Sequence, residues 1–177
     1  MSGNCPGGNR PGCSAPDDVV GVKVDEGEPS LPKSRAERRA KKEIHRLNDS
    51  QRMHMVGKHG PEVPDVPFKQ RAIDGTDPIT GKTPRGMRGN PSSKFYNYVL
   101  MHKAYMLATT RAERGLARFT GKDGQGNDIV RMRLPGAGEG YIPNPKLKED
   151  PKLIEMNGFE MKFDPETGIP FTLYPIK

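Results

Sequence analysis

"FEMKFDPETGIPFTLYP", residues 159–175, decides the architecture. Phe159, Met161 and Phe163 alternate with polar residues, then Asp-Pro-Glu-Thr-Gly interrupts, then Ile169, Phe171 and Leu173 alternate again. A period of two with turn residues between the runs predicts a β-hairpin. In the second strand Thr172 and Tyr174 fall on the face opposite Phe171 and Leu173. The two hydroxyls therefore point together at whatever that face lines.

Upstream, "RFTGKDGQGNDIVRMRL" (118–134) predicts two strands around a glycine-rich turn, and "EGYI" (139–142) and "LIEM" (153–156) predict two more short strands. Arg131 and Arg133 alternate with Val130, Met132 and Leu134, which places both guanidinium groups on the face away from the core. Further upstream the apolar period changes to that of a helix. "KFYNYVLMHKAYMLATTRAERGLA" (94–117) predicts the longest helix, capped by Ser92 or Ser93, with Phe95, Val99, His102 or Lys103, and Met106 along its apolar stripe. "SRAERRAKKEIHRL" (34–47) predicts another. Ser34 and Glu37 match a capping box, and Ala36, Ala40, Ile44 and Leu47 form one narrow stripe on an otherwise basic helix. Asn48-Asp49-Ser50 can cap a short helix bearing Met53 to Val56 and ending at Gly60-Pro61, and "VPFKQRAI" (66–73) adds a helical turn. Helices first and an antiparallel meander after them define an α+β class, with N-terminal helices packed on a C-terminal sheet.

The chain has 177 residues, of which 32% are hydrophobic, with 21 glycines and 18 prolines. So apolar-poor a composition leaves part of it unable to offset the entropy of ordering. Residues 1–32, rich in Gly, Pro, Asp and Glu, are the expected linker; 33–48 form the basic helix, and 49–177 the catalytic domain. The formal net charge of +7 suits a polyanionic partner. No run approaches the roughly 18 apolar residues of a membrane span, so membrane insertion is not expected. Nor does a charged n-region followed by an apolar h-region open the sequence. Cys5 and Cys13 lie in "NCPGGNRPGC" without further metal ligands nearby, and two thiols cannot close a zinc site. No metal and no cofactor are expected.

"HMVGKHGPE" (54–62) carries the chemistry. On a helix His54 and Lys58 share a face, and His59 lies roughly 140° away from His54. At a helix C-terminus His59 is expected to favour the imidazolium. One neutral and one cationic histidine are what a general base and a general acid require. RNA offers a reaction that needs such a pair without metal: its 2′-hydroxyl attacks the neighbouring phosphate.

The ordered set "HMVGKHGPE", "SSKF" and "FTLYP" resembles the polymorphic-toxin ribonucleases at the C-termini of contact-dependent inhibition and Rhs-type effectors, related to the barnase–EndoU–colicin–RelE group. The similarity covers about residues 50–177 and rests on these three short motifs. It implies His54 and His59 as catalytic, with Lys58 supporting the phosphate. It also implies that Ser92 or Ser93 and Thr172 touch substrate, and that Tyr174 contacts the phosphate or orients a histidine. With these stand the substrate-binding candidates Arg71, Lys94, Arg131 and Arg133. His102, in an apolar-rich helix, is assigned to packing.

The expectation is a metal-independent endoribonuclease toxin that acts on tRNA or other RNA in the target-cell cytoplasm. It would be secreted as part of a larger delivery protein and neutralised by an acidic immunity protein. The alternatives are a non-catalytic nucleic-acid-binding protein working through the basic helix, a DNase, or an ADP-ribosyltransferase using Glu139 or Glu160.

Overall fold

The computed structural model describes residues 34–83, 91–115, 121–144, 146–147 and 150–177. The expected linker, with both cysteines, and Leu116 to Ala117 of the expected long helix lie outside the described residues. Three helices come first, α1 (Arg35–Ser50), α2 (Met55–His59) and α3 (Asp65–Asp74). They are followed by β1 (Ser92–Phe95), α4 (Tyr98–Glu113), β2 (Asp128–Ile142), β3 (Lys152–Phe163) and β4 (Pro170–Ile176). The strands form one antiparallel sheet in the order β1-β2-β3-β4, so the chain is α+β as its periodicities require. The sheet curls until its two edge strands, β1 and β4, touch, and the short α2 contacts both.

One face of the sheet holds the core. Val130, Phe159, Met161 and Leu173 are buried there with Met101, Ala104, Tyr105 and Ala108 of α4 and Ile44 of α1. Each large side chain so buried is worth about 1.5–3 kcal/mol. The stripe on α1 holds, with Ala40 and Ile44 buried and Leu47 packed beside them. Ser34 Oγ accepts from Glu37 N at 3.1 Å. The Glu37 carboxylate does not complete a capping box at its own helix, however. It accepts from the N–H groups of Tyr98 and Val99 at 2.7 and 3.1 Å, at the start of α4. Asn97 Oδ1 takes Leu100 N at 2.8 Å. The first turn of α4 is thus satisfied by side chains, one of them from α1, and this welds the basic helix to the rest of the domain.

Several sequence expectations change here. "SSKF" is not a helix start: all four residues of β1 are buried, and the cap of α4 is Asn97. The buried stripe of α4 runs through Tyr98, Met101, Ala104, Tyr105 and Ala108, while Val99 and Met106 are exposed. "EGYI" and "LIEM" are parts of the long β2 and β3, paired from Gly138↔Met156 to Tyr141↔Leu153. Of the two strands around the glycine-rich turn, the second is β2, and the first leaves a single bridge between Lys122 and Asp128. Residues 116–120 lie outside the described set.

β2 changes register between Arg133 and Gly138, which bends the sheet. Its second half then passes very close to β1. A Cβ on Gly138 would lie 2.0 Å from Lys94 O, so only glycine fits this crossing. Among the described residues no helix is long and apolar enough to cross a membrane.

Candidate active site

Where the curled edges approach one another, α2, α3 and all four strands line an open cleft of about 970 Å³. His54, His59, Arg71, Ser93, Thr172 and Tyr174 all line it. These six residues come from four elements and from the turn before α2.

His59 is the last residue of α2 and only 5% exposed. Its Nδ1 lies 2.7 Å from the backbone oxygen of Ser93. A carbonyl oxygen can only accept, so Nδ1 carries the proton and the neutral ring keeps its lone pair on Nε2. The Tyr174 ring packs on the imidazole, with centroids 5.2 Å apart. Burial, and after it the positive charge of Arg71, pushes His59 down to about 3, against the opposing effect of the Ser93 bond. The expected imidazolium is therefore corrected. α2 is a single five-residue turn, and the fractional dipole at its end is small beside the cost of desolvating a cation.

His54 is the N-cap of α2 and not part of the helix. α1 continues to Ser50, and a turn through Arg52, with φ of 53°, delays the next helix to Met55. Half-buried in the cleft, His54 is lowered by burial first and then by Lys58 and Arg71. Lys58 stands beside the site, near enough to add to the lowering of both histidines. Its Nζ is 2.6 Å from Asp77 Oδ2, a pairing that ties α2 to the loop after α3, and it does not line the cleft.

Arg71, in the last turn of α3, is largely buried, and its Nη1 has no hydrogen-bond partner among the described residues. Burial lowers its proton affinity while Asp77 and Tyr174 raise it, yet a guanidinium keeps its charge in proteins. An unpaired buried donor is costly.

Thr172 is buried opposite Lys162, and Tyr174 stands opposite Glu160. The Tyr174 hydroxyl donates to one Glu160 oxygen and Arg131 Nε to the other. Burial, then the bond to Glu160, raises Tyr174 far above the ordinary phenol range. The sequence motifs do not point to Lys162, and they point to Glu160 only under the transferase alternative. The alternation of β3 contained them, because both point away from Phe159, Met161 and Phe163.

The remaining candidates lie elsewhere. Ser92 is fully buried outside the cleft, and its Oγ has no partner among the described residues. Lys94 is a tether, with Nζ 2.5 Å from Asp65 Oδ1, 3.5 Å from Glu139 Oε1 and 4.9 Å above the Phe68 ring. Arg133 is exposed and borders a shallow groove that adjoins the cleft at Arg131, Ile176 and Lys177 but does not itself line the cleft. His102 lies on α4, away from the cleft. Among the described residues no group of three or more His, Cys, Asp or Glu is placed to hold a metal ion. Comparison of the chain with protein families, curated proteins and solved structures found no match.

The buried neutral imidazole has a consequence for stability. Between an unfolded value near 6.5 and a folded value of about 3, the unfolded chain binds a proton that the native chain refuses. Stability is therefore complete above pH 6.5 and falls as the pH drops, by up to about 1.4 kcal/mol per unit. Thermal unfolding followed from pH 6.5 to 4.5 should show this fall, and His59→Gln should flatten it. An unchanged slope in the variant would mean that His59 titrates normally.

Proposed function

We propose that this domain cleaves RNA by attack of the 2′-hydroxyl on the adjacent phosphate, without metal. One observation carries the reading: a neutral histidine and an arginine share a cleft, and among the described residues neither the histidine's Nε2 nor the arginine's Nη1 has a partner. The first is a general base, the second an electrostatic clamp for a phosphodiester.

His59 Nε2 takes the 2′-hydroxyl proton, and the oxygen attacks phosphorus. Arg71 holds the non-bridging oxygens, and the Thr172 hydroxyl donates to them. The anionic phosphate raises the proton affinity of both rings, and His54, the more exposed, takes up a proton and delivers it to the leaving 5′-oxygen. The products are a 2′,3′-cyclic phosphate and a free 5′-hydroxyl. Tyr174 is a positioning residue, its ring against His59 and its hydroxyl held by Glu160.

The competing readings have less support. Both oxygens of Glu160 are occupied by Arg131 and Tyr174, and Glu139 lies beside Lys94 outside the cleft, so neither glutamate is free for ADP-ribosyl transfer. A purely binding protein could use Arg71 on a phosphate, but it has no use for a neutral imidazole whose Nε2 faces the same cleft. In the wider proposal the domain is the toxic end of a delivered effector, acting on cytosolic RNA such as tRNA. The charge of +7 makes an acidic immunity protein the natural inhibitor.

The purified protein, incubated with total RNA in excess EDTA, should produce fragments ending in cyclic phosphate. Cutting that requires added Mg²⁺, or that falls on DNA, would contradict the proposal.

A further inference from the structure

In the β3–β4 ladder Thr172 pairs with Lys162, but Phe163 pairs with Pro170 and not with Phe171. Regular pairing would set Phe171 opposite Phe163, whose side chain belongs to the core. The extra residue gives that place to Pro170, which is buried, and releases Phe171 from the ladder. Bulges of this kind re-aim side chains beside functional sites.

The released ring lines the cleft next to Thr172 and stays partly exposed. Among the described residues no other ring stacks on it. With Ile142, Met156 and Ile176 this phenyl group gives the cleft an apolar part beside its polar groups. Lys162 and Arg131 border the same cleft as ion pairs with Asp123 and Glu160, which line it too, so the guanidinium of Arg71 is left as the charge for an anion. A flat apolar face in the same cleft as that guanidinium matches a nucleotide, whose base is flat and whose phosphates are anionic. The cleft volume of about 970 Å³ exceeds what a phosphodiester alone would fill.

We propose that Phe171 is a stacking platform for an unpaired nucleobase next to the scissile phosphate, and that it makes the cleft selective for single-stranded RNA. The proposal rests on the RNA-cleaving reading above. A base within a duplex has both faces covered by its neighbours, so only an unstacked base can reach the ring.

A 2′-O-methyl RNA oligonucleotide carrying 2-aminopurine tests this, because it cannot be cleaved and its fluorescence is quenched on stacking. The single-stranded probe should bind the wild-type chain with quenching. Phe171→Leu keeps an apolar side chain but no ring; it should weaken binding by about tenfold or more and abolish the quenching. Phe171→Tyr should restore both, and a duplex form of the probe should bind wild type and Phe171→Leu alike. Equal binding and quenching by wild type and Phe171→Leu would overturn the platform, as would Phe171→Tyr failing while its circular dichroism is native. Should Phe171→Leu not fold, Phe171→Ser takes its place with the same expected losses. A wild-type chain that quenches the probe yet cuts no RNA would leave the platform standing and remove the nuclease reading.

Discussion

His59→Ala should lower RNA cleavage by roughly 10²–10⁴, the scale for a lost general base. The alanine variant also empties a buried site and drops the bond to Ser93, so the sharper comparison is His59→Asn. An asparagine side-chain amide can donate to the Ser93 oxygen as Nδ1 does, but it offers no basic nitrogen. Cleavage under single-turnover conditions should fall by a similar factor in both variants, with the asparagine variant the more stable. If His59→Asn retained cleavage within a few-fold of wild type, the base would have to be another group. Lys58, paired with Asp77 and near enough to add to the lowering of both histidines, would then be tested next.

Arg71→Met should have an effect of comparable size on cleavage and an opposite relation to stability. Losing a donor aimed at developing negative charge costs about 10²–10³ in rate. Yet the guanidinium is mostly buried and its Nη1 has no partner among the described residues, and an unpaired buried donor opposes folding. Methionine has similar length and no desolvation cost, so the unfolding midpoint should hold or rise. A variant that is both less stable and fully active would show that Arg71 serves the fold and not the phosphate. Arg71→Lys should recover only part of the rate, because a point charge does not reproduce the guanidinium fork.

Those two side chains also show what the sequence discloses. His59 was found from a spacing, but its charge state was not legible: burial against Ser93 and Tyr174 is set by the curl of the sheet, which no local pattern reports. The final hairpin and the basic helix were legible because each has one buried and one exposed face, which writes a period into the sequence. "SSKF" misleads for the opposite reason. Four consecutive buried residues have no period, and Lys94 is buried only because Asp65 and Glu139, both distant in sequence, receive it. Serines before an apolar run then imitate a helix cap. Alternation assigns Phe171 to the core, and the bulge opposite Lys162 and Phe163 moves it into the cleft. Thr172 and Tyr174 kept their expected face because the ladder is regular beyond that bulge, with Leu173 opposite Met161 on the core side.

Attack by the 2′-hydroxyl is the central claim, and a single atom tests it. An RNA oligonucleotide cut by the wild-type chain in EDTA can be resynthesised with one 2′-deoxyribose immediately 5′ of the scissile phosphate. The mechanism predicts no cleavage at that linkage, with cutting elsewhere unaffected. Cleavage of the deoxy linkage at the normal rate would show that water or another nucleophile attacks, and would contradict the account.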